Sequence, residues 1–503
     1  MNAEIPPSPH GSISRFEASR WAWLVPAAII LFALGLRLAG VDKSLWIDEA
    51  SSVRHVRSTD FIASLRSDIH PPLYFFLLRA VQRVTPSFTG LRLLSVACGV
   101  GAVAVFCVYF RGRDRLAGWI AGLLLAALPG FTANSQELRQ YALLSLALGL
   151  ALFFVWRLRE SPRNTGTLVG LAGALAAAAA THLLTVFFLG ALALTLGWQW
   201  RHEPRAAGWR LAGIMAPAAG LILFFKEVFL LPDLQPAQWW MPPVSLPMLA
   251  AIFSEASGWS AILWVADACE RHLGHTGIVV IAAMTFCAAF LFWTAWGRRQ
   301  TGGAHFFLAV ALIYWGLMIG YSLATLPVLW PRTALPGMLP FVLGLSLGIA
   351  THPNARRRTL ATIGVAVLAF TMTVPWLRGL AFRPNEDLRG LSLSLQSAAR
   401  PGSLLILIGE VEIGIDPYWP VYRQARLLRL KLGDPQTLAD VTSALSQQPP
   451  DEKALLIYRA DFYLAQKQAT LDALVNHISA TLSPPVTLWD RDGYHILQFA
   501  PAK

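Results

Sequence analysis

Two adjacent carboxylates, Asp48 and Glu49, directly follow a long apolar run, in the stretch LWIDEASSVRHV at residues 45–56. Other polar side chains stand at the ends of later apolar runs: His70, Glu137, Arg139, Tyr141, His182 and Arg332. A carboxylate can remove the proton from a hydroxyl and so make it a nucleophile. Arginines can bind a phosphate in bidentate fashion and stabilise the negative charge that develops as it leaves. These residue types are therefore suited to moving a group from a phosphate to a hydroxyl.

The composition indicates where such residues would have to work. Of the 503 residues, 55% are hydrophobic and 14% are charged, whereas a soluble domain carries about 25% charged residues. This composition is typical of a polytopic membrane protein. The net charge of +12 does not indicate nucleic-acid binding, because Lys and Arg concentrate in short loops between apolar runs, where they set orientation in a bilayer.

Eleven apolar runs are candidate membrane spans, since a span needs about 20 mostly apolar residues. They are 21–40, 91–110, 116–131, 139–157, 166–181, 183–200, 209–229, 277–296, 304–326, 334–350 and 359–380. A twelfth segment, HPPLYFFLLRAVQRV at 70–84, is short and carries two arginines. If it does not cross, the five basic loops and the arginines before residue 21 all lie on the cytoplasmic side. The pattern thus predicts a cytoplasmic N-terminus and an amphipathic helix at 70–84 along the outer membrane face.

On this map the candidate residues all fall at the outer interface, although they are spread widely along the chain. A phosphate that is fixed at this depth by a lipid tail is their natural partner. The sequence also divides into parts: a cytoplasmic segment at 1–20, a membrane domain at 21–380, and a tail at 381–503 that lies on the outer side. The tail alternates predicted strands and helices and ends in a hairpin with Asp-Gly at its turn, which predicts a small α/β domain. The region 230–276 is predicted to be an outer loop.

Five stretches together resemble the type C glycosyltransferases, and more narrowly the bacterial relatives of protein O-mannosyltransferases and of the lipid A aminoarabinose transferase. These stretches are LWIDE, HPPLYFFLLRA, NSQELRQYALL, THLLTVFF and WPRTALP. The resemblance covers residues 1–380. It implies a mainly α fold of about eleven membrane helices with surface helices in the first outer loop.

The resemblance also implies an activity. Such enzymes transfer a monosaccharide from a polyprenyl-phosphate donor, with inversion, at the periplasmic face of the bacterial inner membrane. The role of the essential first-loop acid falls on Asp48, with Glu49 beside it. Glu137 and Arg139 match the second-loop motif, and Arg332 matches the arginine at the mouth of a late span. The acceptor is a hydroxyl of a lipid, a glycan or a protein. Because the second loop offers one acid, the sequence supports neither a metal ion nor another cofactor.

Each residue also has a structural interpretation. Asp48 would suit the cap of a helix that begins near Ala50, with Glu49 in its first turn. Arg139 would suit a lipid-headgroup anchor, and Glu137 would suit an ion pair with it. His70 and His182 would suit structural turns, and Tyr141 would suit the aromatic belt at the interface. A multi-pass transporter or lipid flippase is the alternative function. That class concentrates polar groups near the middle of the bilayer, whereas this chain concentrates them at one face.

Overall fold

The computed structural model describes residues 13–109, 115–161, 164–202, 204–230, 241–274, 276–296, 302–379, 386–400, 402–409, 411–430, 436–449, 451–460 and 468–501. The described residues form two compact units. The first comprises those within Met1–Val41, Arg66–Asp233 and Met241–Phe382. The second comprises those within Asp42–Leu65 and Arg383–Lys503.

The first unit and the first outer loop are helical. Their helices are α1 Ile13–Leu38, α2 Ile47–Arg57, α3 Phe61–Arg66, α4 Leu73–Gln82, α5 Phe88–Ala104, α6 Arg115–Ala127, α7 Pro129–Asn134, α8 Tyr141–Glu160, α9 Thr165–Ala179, α10 Thr185–Gln199, α11 Pro204–Phe224, α12 Leu246–Ala256, α13 Trp259–Leu273, α14 Gly277–Trp296, α15 Gly302–Ala324, α16 Pro331–Ala350 and α17 Ala355–Leu377. Single π-helical turns extend α5 and α11.

The mainly helical, polytopic fold that the sequence predicts is confirmed, with a helix at each of the eleven predicted spans. Among the described residues, seven helices are long and apolar enough to cross a membrane. The other four predicted spans correspond to shorter apolar helices, namely α1, α6, α9 and α10. Helix α4 has 10 residues, or about 15 Å of length, which is half of the roughly 30 Å hydrocarbon core.

The sequence analysis predicted an outer loop at 230–276, but the described part of this region contains two helices. Helices α12 and α13 together are apolar enough for a span, but they meet at a bend of 88°. Gly258 precedes α13 and adopts a φ of +79°, a conformation that glycine reaches without strain. The sequence analysis missed this broken helical pair because polar residues separate its two apolar halves.

Helix α16 is the central helix of the first unit. In its apolar stretch, 89% of the residues are buried, and the helix packs against α6, α8, α12, α14 and α15. Gly344 and Gly348 allow this packing, because a Cβ at Gly348 would lie 2.6 Å from the carbonyl oxygen of Ala295. Small residues at helix contacts let backbones approach closely in membranes. Arg332 lies in the first turn of this helix.

The second unit contains a mixed five-stranded sheet. Its elements after the membrane domain are α18 Leu388–Ala398, β1 Leu404–Ile408, α19 Val411–Ile415, β2 Arg426–Leu430, α20 Thr437–Ser446, β3 Ala454–Arg459, α21 Gln468–Thr481, β4 Val486–Arg491 and β5 Tyr494–Phe499. The strand order is β2-β1-β3-β5-β4, with β1 parallel to β2 and β3, and β5 antiparallel to β3 and β4.

The core of this sheet and its last turn follow from the sequence. Strand β1 is buried along its whole length, as expected for a parallel strand covered on both faces. Asp492 and Gly493 join β4 to β5 with φ values of 55° and 77°. Positive φ at both central residues is the signature of the hairpin turn that Asp-Gly favours. The predicted α/β character of the tail is therefore confirmed.

Candidate functional site

The first outer loop brings an acid and an imidazole together just before α4. His70 Nδ1 lies 2.7 Å from Asp68 Oδ1, and the same oxygen accepts the His70 backbone N–H at 2.9 Å. Both side chains are nearly buried. Pro71 and Pro72 follow directly, and Pro72 is the residue that precedes α4, with φ −85° and ψ −8°. Asp68 thus directs the Nδ1 proton of His70 towards itself and fixes the orientation of the ring.

Arg139 lies beside this pair. It belongs to the loop between α7 and α8, is 5% exposed, and places Nη2 3.4 Å from His70 Nδ1. Because that nitrogen donates its proton to Asp68 at the shorter distance, it cannot also accept one from the guanidinium. We therefore treat the approach of Arg139 as a contact at the edge of the ring rather than as a hydrogen bond.

His182 occupies the turn between α9 and α10. Its Nδ1 accepts the backbone N–H of Leu184 at 3.1 Å, so the proton of the neutral imidazole belongs on Nε2. Among the described residues, this Nε2 has no hydrogen-bond partner, although the side chain is 6% exposed. Burial lowers the pKa of His182 well below its usual value, and the positive charges of His70, Arg139 and Arg332 lower it further. His182 is therefore a neutral, buried N–H donor.

Ring contacts join these residues to the start of α16. The rings of His70 and His182 meet edge to face at 5.2 Å between centroids, and Tyr141 lies 5.5 Å from His182. The guanidinium carbon of Arg332 lies 5.8 Å from the centre of the Tyr141 ring. A small pocket is lined by His182, Tyr141 and Arg332 and by apolar residues of α8, α10, α15 and α16. We call His70, Arg139, Tyr141, His182 and Arg332 the basic cluster.

Five of the eight residues that the sequence singles out thus come together in the first unit. Glu137 lies in the same loop as Arg139 and is 6% exposed. Asp48 and Glu49 belong instead to the second unit, together with the tail. Among the described residues, no group of three or more His, Cys, Asp or Glu side chains is placed to hold a metal ion.

In the second unit, Asp48 is the second residue of α2, which begins at Ile47 rather than near Ala50. The Glu49 carboxylate accepts the N–H of Trp46 at 3.4 Å, and the N–H of Ile47 donates to Glu386 Oε2 at 2.9 Å. These two contacts supply acceptors to the start of the helix, where backbone N–H groups have no partner within the helix. The capping role that the sequence allowed for Asp48 is therefore filled by Glu49 and Glu386.

Sequence reasoning missed Asp68 and Glu386. Asp68 could have been found from the spacing of its carboxylate two residues before His70, which allows an acid to reach both the ring and the backbone of the same histidine. Glu386 is 339 residues from Ile47, and no local pattern marks such a contact.

The comparisons with known proteins concern solved structures, since no family model and no curated protein matches the chain. The chain is similar to ArnT from Cupriavidus metallidurans in the apo state, with a TM-score of 0.49 and 15% identity over 96% of this chain and 98% of that one. The same enzyme bound to undecaprenyl phosphate gives a TM-score of 0.44 at 14% identity, with the same coverage. The apo oligosaccharyltransferase of Archaeoglobus fulgidus gives 0.46 at 12% identity, over 96% of this chain and 74% of that one. Both proteins have the GT-C fold that the sequence motifs indicated.

Proposed function

We propose that this chain is a membrane glycosyltransferase that moves a monosaccharide from a polyprenyl-phosphate donor to a hydroxyl acceptor. The observation that carries the proposal is the basic cluster. Arg332 and His182 line one small pocket, and Arg139 lies beside His70, whose ring meets that of His182. The His182 imidazole is neutral, and its Nε2–H donor has no partner among the described residues. A buried donor without an acceptor is costly, and a phosphate oxygen is the acceptor that would suit this arrangement.

The phosphate end of the reaction falls to the basic cluster. Arg332 and Arg139 bind phosphate oxygens, and His182 donates its Nε2 proton to a third. Negative charge grows on the phosphate as its bond to the sugar breaks, so fixed donors contribute more in the transition state than in the ground state. The depressed pKa of His182 keeps the ring neutral, so it acts as a hydrogen-bond donor and not as an acid.

The acceptor end falls to Asp48, the base that the sequence predicts. Its carboxylate takes the proton of the acceptor hydroxyl while the hydroxyl oxygen attacks the anomeric carbon. The bond between that carbon and the phosphate oxygen breaks, and polyprenyl phosphate leaves with the electron pair. Attack on the face opposite the leaving group inverts the anomeric centre. Glu49 remains the second predicted catalytic acid, although its contact with Trp46 also gives it a structural task.

We place the reaction at the periplasmic face of a bacterial inner membrane, with the N-terminus in the cytoplasm and the tail in the periplasm. The orientation is supported by the basic loops between the predicted spans. The acceptor is a lipid, a glycan or a protein that carries a free hydroxyl at that face.

The test compares the envelope of a deletion strain with that of the same strain carrying the wild-type chain or Asp48→Asn. Mass spectrometry of lipids, glycans and proteins should find a hexose or pentose that disappears on deletion, returns with the wild type, and stays absent with the variant. Purified protein and labelled lipid extract should then reproduce the transfer. If Asp48→Asn restores the sugar at the wild-type level, the glycosyltransferase mechanism proposed for Asp48 is wrong.

A lipid flippase is the second candidate, and one observation favours it. The apolar pair α12 and α13 is broken by a bend of 88°, and discontinuous helices are common in transporters. Reconstitution separates the two functions. A flippase would move a fluorescent polyprenyl-phosphate lipid between leaflets without consuming an acceptor, whereas the transferase would release polyprenyl phosphate only when an acceptor is present.

A further inference from the structure

The tail holds the backbone just before α2 through several of its side chains. Tyr418 Oη accepts the N–H of Leu45 at 2.7 Å, and Glu386 Oε2 accepts the N–H of Ile47 at 2.9 Å. Arg389 donates its backbone N–H to Ser44 Oγ at 2.9 Å and its Nη2 to the carbonyl of Asp42 at 2.7 Å. Four residues of one short segment are therefore bonded to residues more than 300 positions later. Helix α19 also packs against α2.

Glu386 is the centre of this arrangement. It is 7% exposed, and besides Ile47 it accepts from Arg459 Nη2 at 2.8 Å and from Tyr494 Oη at 3.2 Å. Arg459 ends β3 and Tyr494 begins β5, and the two residues are directly paired across the sheet. The carboxylate thus connects the ordered sheet of the tail to the first N–H of the helix that carries Asp48.

We propose that Glu386 is a positioning residue for Asp48: by accepting the N–H of Ile47, it sets where α2 begins and hence the direction of the side chain one residue later. This inference rests on the proposed function, in which Asp48 is the base. A base must lie within hydrogen-bond reach of the proton that it removes. A displacement of about 1 Å at such a group can cost about 100-fold in rate.

The burial of the Glu386 carboxyl group and the charges around it indicate a role other than stabilising the tail. Burial raises the pKa of its carboxyl group, and the negative charge of Asp48 raises it further, while Arg459, the Ile47 N–H and Tyr494 lower it. A carboxylate buried beside another acid is expensive. The tail nevertheless places it there, with an arginine and a tyrosine that offset part of the cost and fix its direction.

The test uses the full-length protein with Glu386→Ala, the conservative Glu386→Gln, and Glu452→Ala as the control. Glu452 is a half-buried carboxylate of the same unit that meets Ser403 rather than the first loop. In Glu386→Ala we expect kcat for sugar transfer to fall about 100-fold, with the donor KM changed less than about twofold. Glu386→Gln keeps an acceptor oxygen and should recover part of kcat, and Glu452→Ala should match the wild type.

The split between kcat and KM is the readout that a merely structural role would not give, and hydrogen exchange shows whether the change is confined to the start of α2. Amides at 44–52 should exchange faster in Glu386→Ala, while those of β3 and β5 keep their protection. Tyr418→Phe is a milder second variant, because it removes the acceptor of the Leu45 N–H and keeps the ring. It should raise exchange at Leu45 and lower kcat less than Glu386→Ala does.

Two results would overturn the inference, and they are distinguishable. If Asp48→Asn abolishes transfer but Glu386→Ala and Tyr418→Phe keep the wild-type kcat, the positioning role is wrong and the proposed function stands. If Asp48→Asn itself transfers sugar at the wild-type rate, the proposed function is wrong, and the positioning role fails with it.

Discussion

The basic cluster and the acidic start of α2 are organised in opposite ways. In the first unit, side chains contact one another: Asp68 bonds His70, and the rings of His70, Tyr141 and His182 form a connected group next to Arg332. In the second unit, side chains of the tail bond the backbone of residues 42, 45 and 47. One region orients functional groups through their neighbours, and the other through the chain that carries them.

The two regions should respond differently to substitutions. A group held by its neighbours can be removed singly, and the loss should mostly concern what that group binds. A group held through its backbone depends on residues that touch neither substrate nor the group itself. The first region should therefore show losses in affinity as well as in rate, whereas the second should show losses in rate alone.

The largest effect is expected for Asp48→Asn. Loss of a general base costs about 100- to 10,000-fold in rate, and the isosteric amide cannot accept the proton. Transfer from labelled lipid donor should fall by that amount, while donor binding, followed by quenching of tryptophan fluorescence, stays unchanged. Asp42→Asn is the matched control, because its side chain is exposed at the start of the same segment. A loss of donor affinity in Asp48→Asn would contradict the division between the two regions.

Arg332→Gln should lower the affinity for the donor as well as the rate. A hydrogen bond to a charged group contributes about 1.5–3 kcal/mol, so the Kd for polyprenyl phosphate should rise about 10- to 100-fold. Arg332→Lys should recover part of the affinity, since it keeps the charge but not the planar fork. The control is Arg83→Gln, an exposed arginine just after α4. An unchanged Kd for Arg332→Gln would remove this arginine from the phosphate site.

His182→Asn should have a smaller effect on binding and a distinct effect on pH dependence. Because burial lowers the pKa of His182 in the folded chain, the unfolded chain binds its proton more readily. The related stability is complete above the unfolded pKa of about 6.5 and is lost as pH falls from there towards the folded value. Between pH 7.5 and 5.5, Tm should fall more in the wild type than in His182→Asn. His202→Asn, at an exposed histidine, should keep the wild-type slope; an equal slope in all three would refute the buried neutral ring.

Gly493→Ala should leave both regions active and affect stability alone. The residue has a φ of +77° in the last hairpin, where a Cβ costs about 1 kcal/mol or more. We expect faster hydrogen exchange in β4 and β5 and a kcat within about twofold of the wild type. Gly173→Ala, in a helix with nothing within 4 Å of the added Cβ, should not weaken protection. A large fall in kcat for Gly493→Ala would show that the outer strands also position Asp48.

Sequence patterns predicted those features that depend on composition and local chemistry. Apolar runs located the eleven helices, and Asp-Gly located the final hairpin. They missed β2, because its sequence RLLRL carries two arginines and the strand pairs with β1 only in the folded chain. They also missed the bent pair α12 and α13, because polar residues separate its apolar halves.

The candidate residues show the same limit. All five members of the basic cluster were predicted from their positions at the ends of apolar runs, where polar and charged side chains indicate a possible function. Asp68 and Glu386 act through other residues, and their importance appears only when His70 and Ile47 are seen beside them. Contacts at such separations depend on the complete fold, which local propensity does not encode.

Two consecutive helices of the first unit are short for membrane spans. Helices α9 and α10, which flank His182, have 15 residues each and reach about 22 Å, less than the roughly 30 Å thickness of the hydrocarbon layer. A bilayer meets a short apolar segment by thinning around it. We expect the membrane to be depressed next to this helix pair, so that headgroups descend towards the turn and a lipid phosphate reaches the pocket without leaving its own leaflet. Bilayer thickness, set by acyl-chain length, should then influence turnover.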